Sequence, residues 1–494
     1  MQRSVSNGNT VKSAFLIMIM IIMTQVGYLD LINSPTAGND SFDEESSVME
    51  TGGSGSAFAY ANNKLSAGNS HTCAILDNGD LKCWGLGWHG QLGDGASGFG
   101  YYINAPSSTA INLGSGRTAV AVSAGGSHTC AILDNGDLKC WGYDGNGQLG
   151  DGGSNTNTNA HPSTAINLGT GRTAVAVSAG ESLTCAILDN GDLKCWGDDG
   201  NGQLGDGGSN TNTNAPPSTA INLGTGRTAV AVSVGDHHTC AILDNGDLKC
   251  WGYDGQGQLG DGGSNTDTNA PSSTAINLGS GRTAVAVSAG NAHTCAILDN
   301  GDLKCWGYDD VGQLGDGGSN TNTNAPSSTA INLDSGRTAV AVSAENAYTC
   351  AILDNGDLKC WGYDAQGQLG DGGSNTNINA PSSTAINLGT GRTAVAVAGG
   401  NNHNCAILDN GEAKCWGFNS QGELGDGGSN TNQGSPVAVS GSNTWESSTG
   451  LSSGSGSSQS NFTSSVEGAD LFLDVPMTNI TFQYNASAAS GSGS

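Results

Sequence analysis

Aromatic residues and cations are both scarce in this chain. Phe, Trp and Tyr make up 5% of its 494 residues, and 16 Lys and Arg stand against 44 Asp and Glu, for a formal net charge of −28. Nucleic acids and anionic membrane surfaces are bound by clustered cations, so this composition argues against both as partners. The 80 glycines favour turn-rich β architecture over a helical bundle.

Long apolar runs are nearly absent as well, and the clear one lies near the N-terminus, at residues 14–23. It follows Arg3 and Lys12 and is too short to span a bilayer comfortably. Residues 1–33 therefore indicate an export signal or, if they stay uncleaved, an N-terminal membrane anchor. Either alternative predicts a secreted or cell-surface protein whose contact with a membrane is limited to that anchor.

Two further segments lack the apolar residues that a packed core needs. Residues 34–56 form an acidic linker rich in Ser and Gly, and residues 441–494 form a Ser- and Gly-rich tail or stalk. We expect both to be disordered. The tail carries possible glycosylation sequons at Asn461, Asn479 and Asn485.

Between the linker and the tail, residues 57–440 hold seven copies of one unit. Each copy has a cysteine followed by AILDNG, and these cysteines are spaced 57 residues apart from Cys73 to Cys130 and 55 apart from there to Cys405. Every unit contains β-rich runs of the type TAINL, TAVAVSA, TCAIL and LKCW, separated by Gly-rich and Asn-Gly turns. Four strands per repeat are typical of a propeller blade, so we predict an all-β, seven-bladed β-propeller of four-stranded blades.

The two ends of the repeat region are complementary. The first copy opens with FAYANNKLSAG and lacks the first strand, whereas the last copy continues into residues 435–439, SPVAV, which resemble that strand. A solenoid would need distinct capping units instead. We predict that the ring closes by strand exchange between the N- and C-terminal ends, which removes exposed sheet edges.

The fourteen cysteines follow one pattern, in which nine residues separate the two members of a pair. If Asp77, Asn78 and Gly79 form the hairpin loop, Cys73 lies directly opposite Cys83 on the neighbouring strand, within reach of a disulfide. Zinc sites use closer spacings and free thiols would not require opposition, so seven disulfides are favoured over both alternatives. The predicted pairs are Cys73–Cys83, Cys130–Cys140, Cys185–Cys195, Cys240–Cys250, Cys295–Cys305, Cys350–Cys360 and Cys405–Cys415.

Nothing in the sequence matches a catalytic or cofactor motif. There is no Ser-His-Asp set, no HExxH and no phosphate-binding loop, so we expect neither enzymatic activity nor a cofactor. The GDGGSNTNTN loops are rich in oxygen ligands but match no complete calcium pattern, which leaves Ca²⁺ as an open alternative. Acid pairs such as Asp198 and Asp199 are expected in exposed loops. Five histidines precede the first cysteine of a hairpin and are expected to pack between blades; they are His71, His128, His238, His293 and His403.

Two short windows differ between copies that are otherwise almost identical. One lies just before the first strand of the cysteine hairpin and the other just after its second strand, so both lie at the hairpin end opposite the DNG turns. This face would offer aromatic rings among Asp and Asn, a mixture suited to protein contacts or sugar stacking. Neutral drift in loops is the alternative. The predicted binding face comprises Trp88, His89, Tyr143, Asp144, Asp198, Asp199, Tyr253, Asp254, Tyr308, Asp309, Tyr363, Asp364, Phe418 and Asn419.

Units reading CWGYDGNGQLGDG, followed about 30 residues later by AVSAGxxHTCAILDNG, resemble the repeat of the regulator of chromosome condensation family. This resemblance covers residues 57–440 and implies a seven-bladed propeller. Some members act as nucleotide exchange factors on a nuclear GTPase, and a secreted bacterial β-lactamase inhibitory protein (type II) has a similar fold. This chain lacks the basic tail of the nuclear type and adds an export signal and one cysteine pair per blade.

These features together predict a secreted or cell-surface scaffold, monomeric and without catalytic activity, that binds a protein ligand or acts in adhesion. A glycan-binding, lectin-like propeller and an inhibitor of a secreted enzyme are alternatives on the same face. Guanine nucleotide exchange, implied by family analogy alone, is a weaker alternative because fold does not fix function.

Overall fold

A computed structural model describes residues 64–441 except 154, 161, 319, 374–375 and 429, together with Trp445 and the backbone of residues 470–472 and 483–485. The export-signal, linker and most tail predictions lie outside the described residues. In the described part, seven antiparallel sheets of three or four strands follow one another along the chain, which confirms the all-β, seven-bladed prediction. No helix of this part is long and apolar enough to cross a membrane.

Each blade is built on three strands in chain order. The innermost strands are β1 (Leu65–Ala67), β5 (Ala119–Ala124), β8 (Ala174–Ala179), β11 (Ala229–Val234), β14 (Ala284–Ala289), β17 (Ala339–Ala344) and β20 (Ala394–Gly399). The second strands are β2 (His71–Ile75), β6 (His128–Leu133), β9 (Leu183–Leu188), β12 (His238–Leu243), β15 (His293–Leu298), β18 (Tyr348–Leu353) and β21 (His403–Leu408). The third strands are β3 (Leu81–Leu86), β7 (Leu138–Gly142), β10 (Leu193–Gly197), β13 (Leu248–Gly252), β16 (Leu303–Gly307), β19 (Leu358–Gly362) and β22 (Ala413–Gly417).

The hairpin between the second and third strands is set by its Asn-Gly turn. In the second blade, Gly136 adopts φ 78° and its N–H donates to the carbonyl of Leu133 at 2.8 Å. The Asn135 side chain accepts from the N–H of Asp137 at 3.2 Å. This turn fixes the register that places Cys130 opposite Cys140, because glycine tolerates positive φ and Asn caps the turn.

All seven predicted disulfides are present, and no cysteine is free. The paired Cα atoms lie 4.0–4.1 Å apart in every blade. Each bridge joins the second and third strands inside the blade, where both cysteines are buried. The spacing of nine residues therefore encodes one covalent link per hairpin.

The outer edge of the blade differs from the prediction. TAINL segments form no strand; in the second blade, for example, Ile166 makes a single backbone bond, from its N–H to the carbonyl of Leu138 at 2.8 Å. The outer edge is formed instead by the TNTNA segment, through one bridge between Gly142 and Thr158. Among the described blade sheets, a fourth strand occurs only in the first and the seventh, as the two-residue β4 (Tyr102–Ile103) and as β23 (Gln433–Ala438).

Seven apolar clusters lie between neighbouring blades, and one of them joins the seventh blade to the first. Each contains a fully buried tryptophan whose indole N–H donates to a backbone carbonyl of the preceding blade, as Trp141 does to Gln91 at 3.0 Å. Trp84 closes the circle by donating to the carbonyl of Glu423 at 2.9 Å. Seven interfaces for seven blades mean a closed ring.

The predicted strand exchange is present only in a shortened form. Residues 435–438 belong to β23, which pairs with β22 of the same blade rather than with the first blade. The chain then continues to Trp445, which forms a bridge with Leu76 of the first blade and packs its ring 5.6 Å from that of Trp84. In the second blade the matching bridge partner of Leu133 is Ala119, so Trp445 supplies the missing start of the first inner strand.

The histidine rings lie fully buried between blades. His71 Nε2 is 2.9 Å from Thr129 Oγ1 of the next blade, and four further histidines make the same contact.

A two-stranded sheet, β24 (Asp470–Phe472) with β25 (Gln483–Asn485), lies within the tail.

Candidate functional site

The two variable windows lie side by side in every blade. In the first blade the N–H of Leu86, in the second window, donates to the carbonyl of Ser70, in the first window, at 2.8 Å. The six other blades repeat this bond between Tyr143 and Ser127, Asp198 and Ser182, Tyr253 and His237, Tyr308 and Ala292, Tyr363 and Ala347, and Phe418 and Asn402. The windows therefore share the end of each hairpin opposite its DNG turn, and we call this end the variable face.

Much of the acidic part of the predicted binding face is buried, which corrects the prediction. Asp144 is fully buried, and its Oδ1 accepts the N–H of Leu149 at 3.0 Å. Burial raises the pKa of this carboxyl to about 6. The same arrangement recurs at Asp199, Asp254, Asp309, Asp364 and Asn419. These side chains cap the loop that follows the third strand, so they are not available to a partner.

The aromatic part of the predicted face is more accessible. Tyr143, Tyr253, Tyr308, Tyr363 and Phe418 are half-buried, and Trp88 is 37% exposed. Among the described blades, the first alone adds further large exposed rings, because its loop reads ASGFGYYIN where the others read close to GSNTNTNA. In that loop Phe99 is 94% exposed and Tyr102 is 42% exposed. Sequence reasoning passed over Phe99, although the 57-residue spacing of the first copy marked the insertion.

Four rings of the first and second blades form one group, which we call the aromatic cluster: Trp88, His89, Phe99 and Tyr143. The ring centroids of Trp88 and Phe99 lie 4.6 Å apart, and those of His89 and Tyr143 lie 4.9 Å apart. Exposed aromatic groups on an otherwise polar surface are typical of contact sites. The aromatic cluster spans the first and second blades.

The loop under the aromatic cluster is braced by hydrogen bonds. The N–H of Gly98 donates to the carbonyl of Trp88 at 3.1 Å, and the N–H of Gly87 donates to that of Tyr101 at 2.9 Å. The Tyr101 hydroxyl donates to Asp94, and burial together with this carboxylate raises the pKa of Tyr101 to about 12. These hydrogen bonds therefore fix the backbone that carries Trp88 and Phe99.

A second feature of the variable face is the mouth of the central channel. The inner strands enclose a cavity of about 280 Å³. The first residue of each first window lines it, in the order Asn69, Gly126, Glu181, Asp236, Asn291, Asn346 and Asn401. Asn291 donates to Asp236 at 2.5 Å, and burial together with the Glu181 carboxylate raises the pKa of Asp236 to about 6.

The loops weighed for calcium show turn chemistry instead. In the second blade Asp151 Oδ1 accepts the N–H of Gly153 at 2.7 Å, as Asp does in an Asx-turn. Among the described residues, no three His, Cys, Asp or Glu side chains come together in a way that could hold a metal ion.

Comparisons with known proteins agree with this geometry. A family model described as RCC1-like domain matches residues 98–460, and one of the regulator of chromosome condensation (RCC1) repeat matches residues 63–91. The Ultraviolet-B receptor UVR8 of Arabidopsis thaliana is 30% identical over 365 residues, 74% of this chain and 78% of the receptor. Human E3 ubiquitin-protein ligase HERC2 is 29% identical over 371 residues, which are 75% of this chain but 7% of the ligase.

Solved structures match the fold. Prp20p from Saccharomyces cerevisiae superimposes with a TM-score of 0.65 at 20% identity, covering 78% of this chain and 89% of that one. Human WBSCR16 gives a TM-score of 0.63 at 20% identity, and the match covers 73% of this chain and 94% of WBSCR16. With a family model spanning most of its length, the chain belongs to the regulator of chromosome condensation repeat family.

Proposed function

We propose that this protein is a non-enzymatic, extracellular binding scaffold that contacts a protein partner through the aromatic cluster. The observation that carries the proposal is the exposed pair Trp88 and Phe99, which occurs in one blade of seven. Large aromatic anchors supply most of the energy of many protein interfaces. The corresponding loops of the six other blades contain no aromatic residue, so the blade fold itself does not require this ring.

Rigidity supports the same proposal. One disulfide per blade and a braced loop lower the conformational entropy that would be lost on binding. The solved structures of yeast Prp20p concern its binding to Gsp1p and histones and its complex with Kap60. A related propeller thus binds several proteins, which favours a protein ligand over a substrate.

The location outside the cell is inferred from chemistry. Fourteen cysteines paired without remainder are typical of an oxidising compartment, since cytosolic thiols are kept reduced. The apolar run at residues 14–23 fits export. A glycan ligand, inhibition of a secreted enzyme and nucleotide exchange remain alternatives that the experiment below separates.

The test is quantitative capture followed by reconstitution. Wild type, a Trp88→Ala/Phe99→Ala variant and a Tyr363→Ala variant are immobilised and exposed to exported and surface proteins of the source cell. Partners that bind wild type and Tyr363→Ala but not the double variant are then purified and titrated. We expect the double variant to weaken binding at least about 30-fold, as loss of a 2 kcal/mol hot spot does.

Tyr363→Ala is the matched control, because it removes a ring from the same face in a distant blade. Equal retention by wild type and the double variant would overturn the proposal. A glycan array, an inhibition assay on secreted hydrolases and a nucleotide-exchange assay run in parallel, and a signal in one of them that depends on Trp88 and Phe99 would replace the protein ligand by that alternative.

A further inference from the structure

His89 lies in the middle of the aromatic cluster and connects its two halves. Its ring centroid is 4.9 Å from that of Tyr143 in the second blade. On its other side it is 6.5 Å from the ring centroid of Trp88, which in turn contacts Phe99. The histidine is half-buried between these rings. The contact that fixes the His89 ring therefore also fixes the spacing between the aromatic groups of the two blades.

One side-chain hydrogen bond links His89 to the second blade. His89 Nδ1 lies 3.2 Å from Asn157 Nδ2. The other end of the Asn157 amide is occupied, because its Oδ1 accepts the backbone N–H of Asp144 at 3.1 Å. A backbone N–H can only donate, so the Asn157 oxygen must face Asp144 and the NH₂ group must face His89. The amide therefore donates, and His89 Nδ1 must be the unprotonated acceptor.

Other pairs of neighbouring blades make the same hydrogen bond with a different acceptor. There the asparagine of the following blade donates to a carboxamide oxygen, at 2.5–3.2 Å, in the pairs Asn212 with Asn146, Asn322 with Gln256 and Asn432 with Gln366. A carboxamide oxygen does not titrate, whereas an imidazole nitrogen accepts only while it carries no proton. The first blade alone has a histidine at this position, and that blade carries the aromatic cluster.

Protonation of His89 removes the acceptor. An imidazolium carries a hydrogen on both ring nitrogens, so Nδ1 and the Asn157 NH₂ group would face each other as two donors. Asn157 cannot turn its amide round without depriving the N–H of Asp144 of its acceptor. We therefore expect the charged histidine ring to leave Asn157, and its contact with the Tyr143 ring to be lost with it.

The surroundings of His89 offer little to hold its charged form in place. Among the described residues, no Asp or Glu forms an ion pair with it, whereas His237 Nε2 lies 4.0 Å from a Glu181 oxygen. Its own backbone N–H donates to the uncharged Gln91 at 2.9 Å. The second blade contributes Tyr143 and Asn157 to its ring contacts, and of these two Tyr143 alone can titrate.

Three further titratable groups lie near the aromatic cluster. Asp94 and Tyr101, in the loop of the first blade, are hydrogen-bonded to each other. In the second blade the Asp144 carboxyl accepts the N–H of Leu149, and burial raises its pKa to about 6. Because Asp144 changes its charge in the same pH range as an ordinary histidine, a test has to separate the two residues.

We propose that His89 positions the aromatic cluster and makes it sensitive to pH: neutral His89 holds the rings of both blades as one surface, and protonation separates Tyr143 from Trp88 and Phe99. This inference rests on the proposed function, since partner binding is what the separation weakens. Histidine is the side chain that ordinarily changes its charge between pH 5 and 8. A partner bound at neutral pH is then held more weakly in an acidic environment.

The first test needs no partner. The full chain, labelled with ¹⁵N, is studied by NMR between pH 7.5 and 5.5, and single-residue variants identify the signals of His89 and Asn157. At pH 7.5 we expect the ring proton of His89 on Nε2 and none on Nδ1. The side-chain amide signals of Asn157 should shift as His89 becomes charged, and they should not shift in His89→Gln. A proton on Nδ1 at pH 7.5, or Asn157 signals that do not respond to His89, would overturn the proposal.

The second test uses the partner obtained by the capture experiment. The dissociation constant of wild type should rise at least about threefold from pH 7.5 to 5.5, and that of His89→Gln by less than about 1.5-fold, as expected when one exposed hydrogen bond is lost in the first protein only. His89→Gln copies Gln256 and Gln366, so it supplies an acceptor that does not titrate. Both proteins keep Asp144, so its titration cancels in the comparison.

The matched control is His237→Gln, which removes another half-buried histidine of the variable face, beside Tyr253. It should retain the pH dependence of wild type. An equal pH dependence in His89→Gln and wild type, or loss of that dependence in His237→Gln, would show the proposal to be wrong. If instead no partner depends on Trp88 and Phe99, the proposed function fails, while the NMR experiment still decides whether His89 acts as described.

Discussion

Replacing Glu423 by Gln should stabilise the protein at alkaline pH and leave it unchanged in acid. Glu423 is fully buried at a position where the six other blades have Gln. Its Oε2 accepts the N–H of Gln421 at 2.8 Å, as Gln148 Oε1 accepts that of Asn146 at 3.0 Å. Its Oε1 has no described partner. The residue lies at the junction of the seventh and first blades, where its carbonyl receives the Trp84 indole N–H.

The magnitude follows from the protonation equilibrium. Burial raises the pKa of Glu423 from 4.5 to about 7. Because the folded pKa exceeds the unfolded one, the stabilisation that this group contributes is fully present below pH 4.5 and is lost as the pH rises through 7. At pH 8.5 the ionised side chain lowers the unfolding free energy by up to about 3 kcal/mol, and Gln lacks this penalty. We expect a gain of about 1–3 kcal/mol at pH 8.5 and none at pH 4.

The assay is thermal and urea unfolding of wild type and Glu423→Gln under non-reducing conditions between pH 4 and 8.5. Gln368→Glu, at the equivalent position of the sixth blade, is the matched control and should acquire the same alkaline instability. If the unfolding curves of wild type and Glu423→Gln stay parallel across the pH range, the carboxyl does not titrate in the buried site and the reasoning fails.

Three further changes test the repeated features of the blade. Asp254→Asn copies the natural Asn of the seventh blade. Because burial raises the pKa of Asp254 from 3.8 to about 6, the variant's free energy of unfolding in urea should exceed that of wild type by about 1–2 kcal/mol at pH 8 and equal it at pH 3.8. A gain at every pH would contradict this. His128→Leu copies Leu183. Because burial lowers the pKa of His128 from 6.5 to about 3, wild type loses stability as the pH falls below 6.5, and the variant should retain part of that stability at pH 5. Identical dependence of the unfolding free energy on pH in the two proteins would refute the buried, neutral state of His128. Cys185→Ala with Cys195→Ala should lower the unfolding free energy by about 2–3 kcal/mol while circular dichroism stays that of wild type, and an unchanged midpoint would show that this bridge adds no stability.

Where one turn determines the register of two strands, the sequence alone was sufficient to predict their pairing. Asp77, Asn78 and Gly79 admit one tight hairpin, and a hairpin of that length leaves Cys73 and Cys83 opposite each other, as the structure has them. Strand propensity led to a wrong prediction at Ile166. A β-branched residue favours a strand only where a neighbouring strand offers a ladder of hydrogen bonds, and Ile166 makes a single backbone bond, to Leu138. The crossing of Trp445 could not be foreseen either, since residues 435–439 looked like the missing strand and a tertiary contact decided the outcome.

The candidate site was harder to predict, because variation and exposure are different properties. Asp144 lies in a variable window, but this position is Asp in each of the second to sixth blades, and that constancy was the available sign of a structural role. Phe99 lay in an insertion that had no counterpart to compare.

Near-identity of the seven blades makes each departure from the repeat informative. A feature present in all blades, such as the disulfide, is sufficiently explained by the stability of the blade itself. A departure is not required by the blade, because six neighbours fold without it. Phe99 is the clearest case: it places a ring that is 94% exposed at the surface, where the packing of the blade does not need it. Its presence beside Trp88 therefore favours a binding role for the aromatic cluster over a role in stability.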